Sequence, residues 1–204
     1  MAHKPTEAVR RPPAMAPVDG RSRILAVALE AFSRRGYAEI SMQEIADAAG
    51  LTKAAVYYHF ADKDGLFGEV FRREMERLCA GIVDQLALGG TLRRQLERVA
   101  AYLLDAGRVD FVRLVADLNR YVAPQRRCVL VEGICRPDIV VRAAFARAQA
   151  AGEIGSVDPD VAVSLFFSLV CGQVRFEEIG WGAPGDSASR AATIASVLVR
   201  GLEP

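Results

Sequence analysis

Residues 41–60 read SMQEIADAAGLTKAAVYYHF, and the way this stretch has to turn decides the fold of the chain. Ser41 stands three residues before Glu44, the spacing of a capping box. In that arrangement the serine hydroxyl accepts from the Glu44 backbone N–H while the Glu44 carboxylate accepts from the Ser41 N–H. A helix is therefore predicted to start at Ser41. Ile40 before the cap and Ile45 after it have the spacing of a hydrophobic staple, and Ala46 and Ala49 continue one apolar face. Gly50 ends that helix, being the residue that turns left-handed at little steric cost. Thr52 caps a second helix, with Leu51 and Val56 repeating the staple spacing. Small Ala46 lets the two helices approach and Val56 plugs their shared core, which turns Lys53, Ala54, Ala55, Tyr57 and Tyr58 outward.

This is the build of a helix-turn-helix, a helix pair that reads DNA. An ordinary helical hairpin inside a core would show the same caps and alanines. The exposed side of the second helix argues against it: Lys53, the paired tyrosines and His59 are poor core residues and good partners for phosphate oxygens.

The rest of the composition sets limits on this reading. The chain has 204 residues, 51% of them hydrophobic, enough for a real core. Lys plus Arg total 26 against 25 Asp plus Glu, a net charge of +1, so affinity for nucleic acid has to come from local placement. Up to Arg23 the chain carries Lys4, Arg10, Arg11, Arg21 and Arg23 against Glu7 and Asp19, an excess of three beside the helix pair. Four prolines in the first seventeen residues exclude a helix there, so residues 1–20 are expected to form a disordered basic tail. No apolar run in it suits a signal peptide. The longest apolar stretch, residues 161–174, contains Ser164, Ser168 and Gln173 and is shorter than a bilayer span. The expected location is the cytoplasm, with no membrane partner.

Cysteines stand at 79, 128, 135 and 171, and the two histidines are His3 and His59, so no zinc site is expected. Cys128 and Cys135 are seven apart and would share one face of a continuous helix. That spacing leaves a redox or thiol-sensing role open, but free cysteine is among the most buried residue types, and buried, inert thiols are the preferred reading. There are no paired carboxylates in a catalytic motif and no glycine-rich phosphate loop, so neither an enzyme nor a cofactor is expected.

Apolar residues recur at helical spacing from Ile24 to the C-terminus with no sustained alternation, which predicts an all-α fold. A first helix over 21–35, ended by Gly36, closes over the helix pair to give a three-helix head, residues 21–61. A long helix starts at Asp62 and runs to Gly89-Gly90, about 35 Å at ~1.5 Å per residue, a rod joining head to body. Residues 62–204 form that helical body, with helices over 91–106, 109–122, 124–151, 159–179 and 187–202. Pro137 is expected to break the third of these near residues 133–137. The helix around 161–174 is apolar on nearly all sides and the last helix is broadly striped. Together they suggest a four-helix bundle shared by two subunits, with Phe167 and Leu198 at the interface.

A first helix, then SMQEIADAAGLTKAAVYYHF, then ADKDGLF opening a long helix into an all-helical body: this order resembles the TetR family of tetracycline-repressor-like regulators, specifically over residues 22–71. The resemblance implies a homodimer, a double-stranded DNA operator with two-fold symmetry, and a small-molecule effector bound in the body that releases the DNA. It places Ser41, Gln43, Thr52, Lys53, Ala55, Tyr57, Tyr58, His59 and Lys63 at DNA-contacting positions, Lys63 through a phosphate. Ala54 and Ala55 depart from the glycine and hydroxyl residue common in the family, and contact of an alanine with a thymine methyl is the available substitute for a polar contact.

Candidate effector-binding groups are the polar residues on otherwise apolar helices: Tyr102, Asn119, Tyr121, Gln173 and Arg175, with Phe111, Phe166, Phe167 and Trp181 as apolar wall. Such an inventory suits an apolar or aromatic ligand. The alternative function is a DNA-binding dimer with no effector, its body serving dimerisation alone.

Overall fold

The computed structural model describes residues 19–105, 111–182 and 185–202. The basic tail expected over 1–20 lies outside them up to residue 18, as does the side chain of Phe111. The described residues form ten helices and no strand, the all-α fold expected.

Three short helices make the head: α1 (Gly20–Arg35), α2 (Met42–Ala49) and α3 (Lys53–His59). Asp19 caps α1 by accepting from the Ser22 N–H at 2.6 Å, so residues 19 and 20 of the expected tail belong to α1 and its cap. Ser41 and Glu44 form both halves of the capping box, at 3.1 and 2.8 Å. Gly50 takes φ +63°, the left-handed turn that only glycine makes cheaply, and Thr52 caps α3. Ile24, Ala28, Phe32, Ile45, Ala46 and Val56 meet in a core almost wholly closed to solvent.

The rod is α4 (Lys63–Ala87), capped by Asp62, whose carboxylate accepts from the Gly65 N–H at 2.8 Å. The head core continues past residue 61: Leu66, Phe67, Val70 and Phe71 of α4 belong to it, as do Leu114, Leu118 and Val122 from α6 (Phe111–Tyr121) and its end. Head, rod and α6 are thus packed as one apolar cluster.

A second core holds the body together. It joins Ile82 of α4 to α5 (Leu92–Asp105), α8 (Pro137–Ala150), α9 (Pro159–Glu178) and α10 (Ser187–Arg200), with Phe145 and Phe166 at its centre. The break expected near Pro137 is real, with α7 (Pro124–Val131) ending before a link that turns at Gly133, φ +71°. Two glycines on the rod receive their neighbours directly. A methyl on Gly81 would overlap the Tyr102 ring of α5, and one on Gly68 would overlap Leu130 of α7.

Two expectations need correction. Leu198 is 7% exposed and packs inside the subunit's own core, and Phe167 is half-buried against the same cluster, so neither marks the uncovered face. The large apolar side chains left exposed on these two helices are instead Val161, Leu165, Leu169 and Phe176 on α9 and Val197 on α10. A broad stripe leaves its direction open, and α5 takes the Leu198 side. The cysteines are not uniformly buried either. Cys79 is, whereas Cys128 and Cys135 are exposed, and the helix break removes their shared face. The segment Pro159–Glu177 is long and apolar enough to cross a membrane by length and composition, exceeding the stretch read from sequence. Its Ala162, Val163, Phe166 and Val170 are nevertheless sealed in the body core, which leaves only one face uncovered.

Candidate nucleic-acid interface

The outer surface of the head is made by α3 and the start of α2. Ser41, Gln43, Thr52, Lys53, Tyr57 and Tyr58 are exposed there, with Tyr58 the most open at 86%. Val56 and Phe60, one turn apart, are sunk in the core and fix the opposite face. The Lys53 ammonium lies 5.9 Å from the centre of the Tyr57 ring, so the two present one cationic, aromatic surface. Gln43 donates its side-chain N–H to Asp47 at 2.8 Å, which holds the amide in one orientation along α2.

The Ser41 and Thr52 hydroxyls accept their helix caps from Glu44 and Ala55, at 3.1 and 3.2 Å. The Ser41 O–H is shared with the Glu44 carboxylate, while that of Thr52 can donate outward, since a hydroxyl both accepts and donates. The Ser41 backbone N–H, first, and the Arg35 guanidinium hold the Glu44 carboxyl down at about 2, so a fixed negative charge sits in the first turn of α2.

Ala55, His59 and Lys63 are half-buried or lie at the edge of this surface. His59 sits against the first turn of α1, where a methyl on Gly20 would lie 3.5 Å from its Nε2. The Lys63 ammonium rests over the Tyr37 ring, and burial lowers its pKa. Tyr37 is the hub of this corner. Its hydroxyl donates to Asp64, its N–H donates to Asp117 of α6 at 2.7 Å, and its ring stacks on Tyr121 at 5.5 Å. Burial, reinforced by the Asp64 bond, pushes the Tyr37 phenol well above its ordinary pKa. Arg126 of α7 bonds Asp62 and pulls that carboxyl down, so α6 and α7 both grip the start of the rod.

The model of bacterial regulatory proteins of the tetR family matches residues 24–70, from α1 into the first turns of α4. Over 51 residues the chain is 51% identical to the HTH-type transcriptional regulator AcrR of Shigella flexneri, a match covering 25% of this chain and 24% of AcrR. The chain thus spans about a quarter of that relative's length. Over 186 residues it is 24% identical to the HTH-type transcriptional repressor AcnR of Corynebacterium efficiens, covering 90% of this chain and 94% of AcnR. The crystal structure of PfmR, a TetR family transcriptional regulator from Thermus thermophilus, superposes with a TM-score of 0.71 at 27% identity. That superposition covers 90% of this chain and 97% of PfmR. The chain belongs to the TetR family of transcriptional regulators.

In this TetR-family chain several residues outside the expected set shape the head. Arg21 pairs with Glu69 of α4 at 2.9 Å and covers the Phe60 ring, and Arg23 donates to the Ala49 carbonyl at the end of α2. Neither is tail charge, as the sequence reading has it. They belong to the fold, leaving Lys4, Arg10 and Arg11 against Glu7 before residue 19, an excess of two. The sequence reading also misses the Tyr37, Asp117 and Arg126 corner, whose one local signal is an aromatic residue directly after the Gly36 stop.

Of the expected effector-binding and wall residues that the structure describes, Tyr102, Phe166 and Phe167 share the body core of this TetR-family chain, and Tyr121 and Asn119 lie apart from it. Tyr121 stacks at the head corner, and Asn119 is exposed with its carbonyl accepting from Arg127 at 3.1 Å. Phe166 is wholly buried in the body core, Gln173 is half-buried, and Arg175 and Trp181 are exposed. Tyr102 is the one that reaches the rod, its hydroxyl donating to the Arg77 carbonyl at 3.1 Å.

Proposed function

We propose that the protein is a homodimeric, cytoplasmic TetR-family repressor that binds a two-fold symmetric operator through α3 and leaves it when a small, largely apolar molecule binds the body. The observation that carries this reading is the exposed face of α3, where Lys53, Tyr57 and Tyr58 project from a helix whose opposite side is locked by Val56 and Phe60. In the major groove such a face gives Lys53 and the tyrosines to base edges and phosphates, with Gln43 beside them and Ala55 against a thymine methyl. Ser41 and Thr52 sit at phosphates, Thr52 donating from its cap. His59 and Lys63 flank the groove contact, Lys63 reaching a phosphate once it swings off Tyr37.

One head supplies few base contacts, each worth ~1–3 kcal/mol of discrimination, so specificity needs two heads about 34 Å apart. The uncovered stripe of Val161, Leu165, Leu169 and Val197 is the surface that pairs the subunits. An effector among the body helices acts by binding one head spacing better than the other; a difference of ~1–3 kcal/mol changes operator affinity ~5- to 150-fold. Tyr102 is its most direct route to the rod, because its ring already rests on the bare backbone at Gly81.

Selection of bound fragments from genomic DNA, followed by gel shifts with the wild type and Lys53→Ala, tests the reading. The expected result is a two-fold symmetric site bound by the wild type and lost by the variant. Enrichment of no fragment over random DNA would overturn it.

A further inference from the structure

Arg120 is an exposed cation near the end of α6 that the function above leaves unused. Among the described residues it pairs with no carboxylate, and its guanidinium lies 5.4 Å from the centre of the Tyr121 ring. Tyr121 stacks on Tyr37 at 5.5 Å, and the Lys63 ammonium stands 4.1 Å from the centre of the Tyr37 ring. The two cations are therefore no more than 15 Å apart, joined through two tyrosine rings.

Helical spacing fixes which way Arg120 faces. Arg113, Asp117 and Arg120 follow one another at intervals of four and three residues along one side of α6. Arg113 donates to the Arg34 carbonyl at 2.7 Å, and Asp117 accepts from the Tyr37 N–H at 2.7 Å. That side of α6 therefore looks onto the turn between α1 and α2, which runs on to Ser41, the cap of α2. The acidic groups of this corner are engaged: Asp62 by Arg126, Asp64 by the Tyr37 hydroxyl and Asp117 by the Tyr37 N–H. Lys63 and Arg120 rest on aromatic faces instead.

We propose that Arg120 binds a phosphate of the operator beside the one that Lys63 takes, so that the body as well as the head holds DNA. The proposal rests on the operator-binding reading above. A guanidinium offers phosphate two parallel N–H donors, and such a charge-assisted pair is stronger than a contact with an exposed aromatic face. At ~3.4 Å of axial rise per phosphate on one strand, the 15 Å limit spans about four phosphates, so Arg120 extends the row that Lys63 begins. Phosphate contacts carry no sequence, and Arg120 therefore adds affinity for operator and random DNA alike. Its place on α6 has a second consequence. A movement of α6 against the head lifts this contact from the DNA in addition to altering the spacing of the heads.

The test titrates operator and random duplexes with the full-length wild type, Arg120→Gln, Arg120→Lys and Arg93→Gln across a salt series, beside thermal melts. Arg93 is an exposed arginine at the start of α5, beyond the far end of the rod. Arg120→Gln should lower the salt slope by about 1.8 per dimer on both duplexes, so that between about 50 and about 200 mM salt it loses about 12-fold less affinity than the wild type. Arg120→Lys keeps the charge and should keep the slope, and Arg93→Gln should match the wild type. None of the three should move the melting temperature. An unchanged slope in Arg120→Gln, with or without a lower melting temperature, would overturn the phosphate contact. An equal fall in Arg93→Gln would overturn it as well, because net charge alone would then account for the effect. A change confined to the operator would show base reading in place of phosphate binding. A wild type that binds neither duplex would overturn the operator reading and this contact with it.

Discussion

The ammonium of Lys63 stands 4.1 Å above the centre of the Tyr37 ring. This places the cation at the start of the rod on a residue that α6 also holds, through Asp117 and Tyr121. Replacing Lys63 by Gln removes one phosphate contact from each subunit if the lysine swings to DNA as proposed. The salt slope of operator binding should then fall by about 1.8 per dimer, at ~0.9 for each phosphate. Tyr37→Phe keeps the ring and loses the bond to Asp64, so it should lower the melting temperature and leave the slope alone. Binding titrations across a salt series decide the matter, and an unchanged slope in Lys63→Gln removes the lysine from the interface.

Lys53→Ala and Tyr57→Ala act on the exposed side of α3, away from Val56. Each should weaken operator binding ~5- to 150-fold at fixed salt, the equivalent of ~1–3 kcal/mol, with little change in melting temperature. Unaltered affinity in both would show that this face does not meet DNA.

Leu165→Glu and Leu198→Glu should fail in different ways. Leu165 is 46% exposed on the uncovered stripe, so its variant should fold and run as a monomer by light scattering. Leu198 lies in the subunit core, and a charge there should give unfolded or aggregated protein. A wild type that is monomeric at micromolar concentration rejects the dimer.

Acid should act on the head through Glu44. Its carboxyl is held at about 2, below the ordinary 4.5, by the Ser41 N–H first and by Arg35. A depressed folded pKa means the stabilisation is fully present above the unfolded value and is lost as the pH falls from about 4.5 toward about 2. Asp62, lowered by Arg126 first, changes in the same direction. Thermal melts of the wild type and Glu44→Gln should differ most above about pH 5 and converge near about pH 2; a constant gap would show that the capping carboxylate is not responsible.

Deleting residues 1–18 removes Lys4, Arg10 and Arg11. Affinity for operator and random DNA should fall alike and the salt dependence should flatten. Loss of discrimination with the slope intact would mean that the segment reads bases.

Local chemistry made much of this molecule legible. The Ser41–Glu44 box, the Gly50 turn and the stop before Pro137 each depend on residues within a few positions, and each lies where the sequence put it. The Tyr37 corner does not, because it joins residue 37 to 117 and 121 through a fold that no local pattern encodes. The interface residues went astray for a related reason. Both α9 and α10 are apolar around much of their circumference, and only the placement of α5 decides that Leu198 turns inward. Exposure of Cys135 follows from the helix break, which the sequence does announce through Pro137, but a break alone does not show what packs beside it.

Gly81 and Gly68 restrict how this sequence can drift. Each lacks a side chain because another residue, Tyr102 or Leu130, already fills the volume that side chain would need. Ala at position 81 alone would wedge α5 from the rod, and a smaller residue at 102 alone would leave a void; the two changes together restore contact. These positions should therefore exchange bulk in pairs, and a chain that gains a side chain on the rod should have given one up opposite.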